Sequence, residues 1–374
     1  MPIRLGIIGL SASPSAWATS AHLVPLRSSP SLSSQYTVTA LATSSPKSAK
    51  AAAKAHGIPE EKAYHSAEDL ANDPDVDMVV VSVKVPLHKE LTQKVLEAGK
   101  PVLVEWALGK DLEEAEELAE MSKRVGVKTA VSLQSRLHPV MRKAKEIVDS
   151  GALGRILNTT LVVSTSIFEN LPVRNDLLND PSSGVNNISI ATSHILDPLC
   201  FLFSSEFKTL NATATVSSPT IQFTNPDGTK TEPVKRNLTD SISVQGVLHN
   251  GVAVSYASMC TTEATPDNMS WIISGEKGAL KLEGKSAFLA FAQPTLYQSV
   301  QSDTEIEQYT KISRKGTKWE EVEIEQAAFG GIGELYAAFA AGSKDYVDFD
   351  GAVTRHKMVE AIYRSVEKGT RESY

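Results

Sequence analysis

An apolar run, Ile3–Ile8, stops on Gly9, and the residues that follow, LSASPSAW, place hydroxyls at Ser11, Ser13 and Ser15 before Trp17. Glycine lets a chain turn sharply at a strand end, and the free N–H groups of a helix start behind such a turn attract a phosphate. The serines add hydroxyl donors. The dinucleotide fingerprint asks for Gly-x-Gly-x-x-Gly at this point. Only its first glycine is present; Ser11 stands at the second, and Pro14 and Ser15 lengthen the loop. An ordinary strand-to-helix turn would read the same way.

A second place sharpens the reading. Where the next apolar run, Tyr36–Ala42, ends, a carboxylate would accept the ribose 2′-hydroxyl of NAD and repel a phosphate. The residues are instead Thr43, Ser44, Ser45 and, after Pro46, Lys47. Hydroxyls, backbone amides and one cation suit a 2′-phosphate, so NADP (or NADPH) is expected and NAD less so. Ser44 or Ser45 before Pro46 also reads as a helix N-cap. Both can hold, because a capped helix start attracts anions too.

Other residues can move a proton or hold a polar molecule. Lys84, in SVKVPLH, follows a third apolar run; its amine serves as acid or base there, or reaches solvent. His194, in ATSHILD, can titrate near neutrality, or be a hydrogen-bonded core residue. Arg136 can hold a carboxylate or hydroxyls by paired hydrogen bonds, or clamp two domains together. Asn186 and Asn187 can bond a polyol or amide, and Asn187 can equally cap the helix that carries His194. In PVLVEWALG, Glu105 is suited to orient a ribose, and Trp106 offers a flat face to a nicotinamide or an apolar substrate, or simply packs. His22 reads as a packing residue.

The elements that must position these groups alternate. Strand-like runs at Ile3–Ile8, Tyr36–Ala42, Asp77–Val83, Pro101–Glu105 and Val127–Leu133 are separated by helical patterns at Ser45–His56, Pro86–Gly99 and Leu112–Arg124. Continuous Val/Ile/Leu runs joined by helices indicate a doubly wound parallel sheet, an α/β domain. After a helix at Leu137–Asp149 the runs from Ile156 to about Phe291 shorten and alternate, with a turn at Asn250-Gly251, which indicates a largely antiparallel sheet. A helical segment at Ser189–Leu202 interrupts it, Leu296–Glu325 is polar and poor in signal, and helices at Ile332–Ala341 and Val353–Glu367 close the chain.

At 374 residues two domains are expected: a nucleotide-binding domain over 1–133 and an α+β domain over 134–374. The opening MPIRLGIIGL enters a strand directly, with no signal-peptide pattern, and no apolar run approaches the ~20 residues of a membrane span. Cys200 and Cys260 read as buried free thiols of a reducing compartment, the cytoplasm or, for a regulator, the nucleus. A net charge of −7 without a basic stripe argues against nucleic-acid binding, and the histidines show no metal-ligand spacing.

Several phrases together resemble the Gfo/Idh/MocA oxidoreductases: IRLGIIGL, DMVVVSVKVPLHKELTQKVLEAGKPVLVEWAL, VSLQSRLHPVMRKAKEIVDSGALGRI, then SHILD, ISGEKGALKLEG and AIYRSVEKG. Within the family, GLSAS, VEWAL and VSLQSR are most similar to the branch of fungal galactose-pathway repressors. The resemblance implies a Rossmann domain, a substrate and dimerisation domain over 134–374 with an open, mostly antiparallel sheet through which homodimers form, and a closing helix at 353–367 that packs back toward the first domain. The expected cofactor contacts are Gly9, Ser11, Ala12, Ser13, Trp17, Thr43, Ser44, Ser45, Lys47, Val83, His88, Glu105, Trp106 and Gln134. Arg136, Asn186 and Asn187 face a substrate, and His194 and Lys84 are the catalytic candidates. Family enzymes usually carry Glu-Lys-Pro after the fourth strand, the lysine often shuttling the proton; here Trp106 and Ala107 follow Glu105. They also place an aspartate four residues before the histidine, where this chain has Ile190. Two functions follow: an NADP-dependent oxidoreductase acting on a carbonyl, imine or alcohol of a small molecule, or a non-catalytic NADP-sensing regulator with a protein partner.

Overall fold

The computed structural model describes residues 1–167, 169–225, 227–286, 288–289, 293–307, 313–324 and 328–374. The chain forms two compact units. One comprises Met1–Leu137, Leu177–Asp197 and Ala327–Glu360, the other His138–Asp176, Pro198–Gln326 and Ala361–Tyr374.

In the first unit six strands run parallel: β1 (Ile3–Ile8), β2 (Tyr36–Ala42), β3 (Ala63–Tyr64), β4 (Met78–Val81), β5 (Val102–Glu105) and β6 (Thr129–Ser132), in the order β3-β2-β1-β4-β5-β6. This is the doubly wound order whose reversal lies between β1 and β4. Every residue of β4 and β6 is buried, as strands covered on both faces require. The helices between them are delimited by local chemistry. Pro46–His56 starts on a capping box, Ser45 accepting from the Ser48 N–H, and stops at Gly57 with φ 64°. Leu112–Val125 starts where the Asp111 carboxylate accepts from the Glu114 N–H at 2.9 Å, and Lys123 and Arg124 lie at its negative end.

The core beneath β1, β2 and β4 (Leu5, Ile7, Leu41, Val80) is completed from far along the chain. The helix Ile332–Ala341 inserts Leu335, Tyr336 and Phe339 into it. The Tyr36 hydroxyl donates to the Tyr336 carbonyl at 2.8 Å, and the Val131 N–H donates to the Val347 carbonyl at 2.7 Å.

The second unit holds β7 (Ile156–Thr165), β8 (Asn170–Pro172), β9 (Phe207–Thr215), β10 (Thr220–Thr224), β11 (Val234–Lys235), β12 (Ser241–Leu248), β13 (Ala253–Cys260), β14 (Asn268–Gly275), β15 (Ala279–Gly284), β16 (Thr295–Glu307) and β17 (Ser313–Glu321). Eight of them make one open sheet, β17-β16-β15-β14-β7-β13-β12-β9, antiparallel except for the β7–β13 pair. Leu161 and Val163 on β7 and Met269, Trp271 and Ile273 on β14 are buried on one face, while Val162, Val247, Met259 and Ile272 are exposed on the other. A small sheet, β11-β10-β8, stands apart. Cys200 is buried and Cys260 half-buried, and both are free thiols.

Two expectations need correction. The polar stretch from Leu296 contains the hairpin of β16 and β17, which carried no apolar alternation because Thr317–Glu321 is exposed. The helix over Ser189–Leu202 is a π-helical turn, Asn187–Thr192, running into an α-helix, Ser193–Phe203. Phe291 and Glu325, which bounded two of the expected segments, lie outside the described residues. No described helix is long and apolar enough to cross a membrane.

Candidate functional site

A parallel sheet gathers the carboxyl ends of all its strands on one edge. Gly9, Thr43, Lys84 and Gln134 follow β1, β2, β4 and β6 there and Glu105 ends β5, all within the first unit. Gly9 is wedged between neighbours: its N–H donates to the Ala42 carbonyl at 2.8 Å, φ is 97°, and a Cβ would lie 2.0 Å from the Ser82 carbonyl oxygen. No other residue fits. The loop behind it is open. Residues 12–15 are exposed, the Ser13 and Ser15 hydroxyls lie 3.1 Å apart, and the Ser11 carbonyl accepts from His56 Nε2 at 2.7 Å. After β2, the Thr43 and Ser45 hydroxyls are engaged with Ser48 at 2.7 and 2.8 Å, whereas Ser44 and Lys47 are exposed.

Beyond β5 the edge is closed by a hydrogen-bonded wall. Glu105 Oε1 lies 2.6 Å from His22 Nε2, and His22 Nδ1 lies 2.9 Å from the Tyr336 hydroxyl. Burial pushes the Glu105 carboxyl up, but His22, the Trp17 indole N–H and the field of His194 outweigh it and hold the group below its ordinary value. Burial drives the Tyr336 phenol well above 10, so its proton stays. The Glu105 carboxylate accepts from His22 Nε2.

Trp106 is 5% exposed. Its indole N–H donates to the Ser189 carbonyl at 2.8 Å, its ring lies 4.8 Å from that of His356, and the Trp106–Ala107 peptide is cis. Burial lowers His356 to about 4. His88, fully buried, reaches the Ala107 carbonyl at 2.6 Å and the Val83 carbonyl at 3.1 Å. Burial lowers His88, with the two carbonyls opposing, and the ring lies between the chain segments that follow β5 and β4.

The remaining candidates divide. Arg136 donates from Nε and Nη2 to the buried Asp197 carboxylate at 2.9 and 2.5 Å, and Arg355 Nε stands 3.7 Å from the same group. Its paired donors therefore serve the fold of the first unit. Asn186, not Asn187, caps the π-helical turn, accepting from the N–H groups of Ile188 and Ser189 at 2.8 and 3.1 Å; Asn187 is buried beside it. Lys84 is exposed. His194 is half-buried with Nδ1 sealed from solvent; among the described residues that atom has no hydrogen-bond partner, nor have Ser132 Oγ, Gln134 Oε1 or His356 Nε2. Burial lowers His194, with Glu105 and Asp197 opposing. Among the described residues no group of three or more His, Cys, Asp or Glu could hold a metal ion.

The structure thus joins Trp17 to Glu105 and sets Glu105 within the electrostatic reach of His194, while Arg136 and His88 turn to the fold. Sequence reasoning missed the roles of His22, Ser189, Tyr336 and His356. His22 was read as packing, and its partner Tyr336 lies 314 residues away, beyond any local signal.

Comparison with known proteins gives two matches along the chain: the oxidoreductase family with an NAD-binding Rossmann fold over residues 3–133, and the C-terminal domain of Gal80p over residues 139–284. The dehydrogenase aclE of Aspergillus oryzae is 40% identical over 373 residues, covering 100% of this chain and 98% of that protein. The galactose/lactose metabolism regulatory protein GAL80 of Kluyveromyces lactis is 32% identical over 309 residues, 79% of this chain and 67% of that one. Among solved structures, a super-repressor mutant of Gal80p from Saccharomyces cerevisiae superposes with a TM-score of 0.84 at 26% identity, covering 99% of this chain and 97% of that one. Levoglucosan dehydrogenase in complex with NADH and levoglucosan shares the fold, with a TM-score of 0.79 at 18% identity over 100% of this chain and 99% of that one.

Proposed function

The chain belongs to the Gfo/Idh/MocA oxidoreductase family with its NAD-binding Rossmann fold, and from that premise we propose that it is an NADP-dependent oxidoreductase acting on a carbonyl, imine or alcohol of a small molecule. One observation carries the reading: His194 Nδ1 is buried and unpartnered among the described residues, and the ring lies in the electrostatic field of the Glu105 carboxylate. A buried polar atom left without a hydrogen bond costs stability, and such costs collect where a ligand completes the set.

The residues present fit a dinucleotide. Gly9 holds the tight turn, Ser11, Ala12 and Ser13 border the pyrophosphate position, and exposed Ser44 and Lys47 at a capped helix start suit a 2′-phosphate. When bound, the cofactor supplies or accepts a hydride. The protein's own task is one proton. His194 exchanges it with the substrate oxygen or nitrogen through Nδ1, and Lys84 is the second candidate for that role. Trp106 and His88 shape the wall, Val83 and Gln134 border the cofactor, and Asn186 and Asn187 line the substrate side. The exposed apolar face of the eight-stranded sheet, with Val162, Val247, Met259 and Ile272, supports a homodimer. A cytoplasmic setting suits the free thiols.

The test is turnover of a carbonyl and polyol panel by wild type, His194→Ala and Lys84→Ala, with NADPH, NADP and NAD binding followed by tryptophan fluorescence. His194→Ala should lose roughly a hundredfold or more in rate with NADPH affinity within a few-fold. An unchanged rate in both variants refutes the proton assignment.

A second reading has its own support. Trp106 and Ala107 replace the lysine and proline of the family's enzymes, and the GAL80 likeness extends through most of the chain. On that reading the chain is an NADP-sensing regulator that binds a protein partner, in the nucleus or the cytoplasm. Absence of turnover across the panel, together with binding of a transcription-activator peptide, would favour it.

A further inference from the structure

Glu105 precedes Trp106 where the family's enzymes usually carry lysine, and in this structure its carboxyl has two holders. Trp17 and His22 Nε2 both donate to it, the latter at 2.6 Å. His22 is itself fixed. Its Nδ1 lies 2.9 Å from the Tyr336 hydroxyl, the two rings meet edge to face at 5.9 Å, and Tyr36 packs on Tyr336 at 5.2 Å while bonding its backbone. A histidine that merely filled space would not require both ring nitrogens to be matched by buried partners drawn from two distant segments.

We propose that His22, anchored by Tyr336, is a positioning residue for the proton step at His194: by donating to Glu105 it keeps a fixed carboxylate within electrostatic reach of the imidazole. The inference rests on the oxidoreductase reading. As the substrate O–H or N–H bond breaks and the N–H bond forms on His194, positive charge appears on that ring, and a carboxylate nearby stabilises it. No proton passes to Glu105 or His22. The other carboxylate acting on His194 is Asp197 on the same helix, and it is already engaged by Arg136 and Arg355. Glu105 is therefore the charge that depends on His22. Without the His22 donor, burial favours the neutral acid, and the charge beside His194 is lost.

The experiment is an NMR titration of the His194 ring in the full chain, assigned by the resonance lost in His194→Ala, and read without turnover. His22→Leu should move the His194 midpoint downward. His22→Gln, whose amide still donates to Glu105, should recover most of the shift. In turnover, His22→Leu should lower kcat about tenfold with KM within about twofold, and the pH profile should move with the NMR midpoint. An unmoved midpoint in His22→Leu overturns the inference. If that chain does not fold, Glu105→Gln takes its place: the same downward move supports the inference, and no move overturns it. A shifted midpoint in a chain that turns over no substrate supports the charge network and counts against the enzymatic reading alone.

Discussion

Between Ser11 and Ser15, and again between Thr43 and Lys47, the edge of the parallel sheet carries exposed or half-buried hydroxyls whose bonds close within a few residues: Ser13 with Ser15, Thr43 and Ser45 with Ser48. At Glu105 and Trp106 the same edge is buried, and its bonds span the chain, 83 residues from Glu105 to His22 and from Trp106 to Ser189, and 314 from His22 to Tyr336. The first region is local and largely open to solvent. The second is already assembled before any ligand arrives. The two halves of the edge thus differ in construction, one built from neighbours in the sequence and the other from distant segments.

Substitutions can break or sharpen that contrast. The largest effect should come from Trp106→Ala, which empties a buried indole site and orphans the Ser189 carbonyl; a loss of about 3–5 kcal/mol is expected in urea unfolding, against about 0.5 kcal/mol or less for Ser13→Ala on the exposed loop. Similar costs at both positions would erase the distinction. The next concerns pH. His356 is lowered from 6.5 to about 4 by burial, with Asp111 opposing. The unfolded chain therefore binds a proton that the folded ring refuses. Stability is full above pH 6.5 and drains as pH falls through about 4, by about 3 kcal/mol. His356→Phe should flatten that decline while preserving the ring against Trp106; an unaltered slope places the acid sensitivity elsewhere.

On the exposed side the effects are smaller and ligand-dependent. Lys47→Ala should weaken NADPH binding about tenfold, roughly 1.4 kcal/mol, and leave NADH unaffected, measured by calorimetry. Equal loss for both would mean that the lysine does not address the 2′-phosphate. Ser45→Ala removes the cap of Pro46–His56 and should cost about 1 kcal/mol in thermal unfolding without altering the His194 titration.

The same division decided what could be read from the sequence. β1 and β2 occupy Ile3–Ile8 and Tyr36–Ala42 as expected, because runs buried on both faces admit few other assignments. The helix Ile332–Ala341 was equally plain, ending on a left-handed Gly342. The strand ends that face the crevice follow from parallel topology, so Gly9, Thr43, Lys84 and Glu105 could be placed on one edge from residue order alone. The polar hairpin β16–β17 could not, since a strand with little to bury leaves no apolar rhythm. Nor could the wall: that His22 meets both Glu105 and Tyr336, or that the Arg136 guanidinium is taken by Asp197, depends on packing between segments with no sequence neighbourhood in common.

The assembly of the first unit from three separate segments sets a timetable for synthesis. Leu5, Ile7 and Leu41 leave the ribosome early, but Leu335, Tyr336 and Phe339, which close over them, arrive some three hundred residues later. At about 5–20 residues per second the nascent sheet waits roughly 15–60 seconds with that apolar surface uncovered. A chain released early, anywhere before Ile332, would keep its nucleotide-binding loop yet present an open hydrophobic flank, a substrate for chaperones and proteases in place of a working half-molecule.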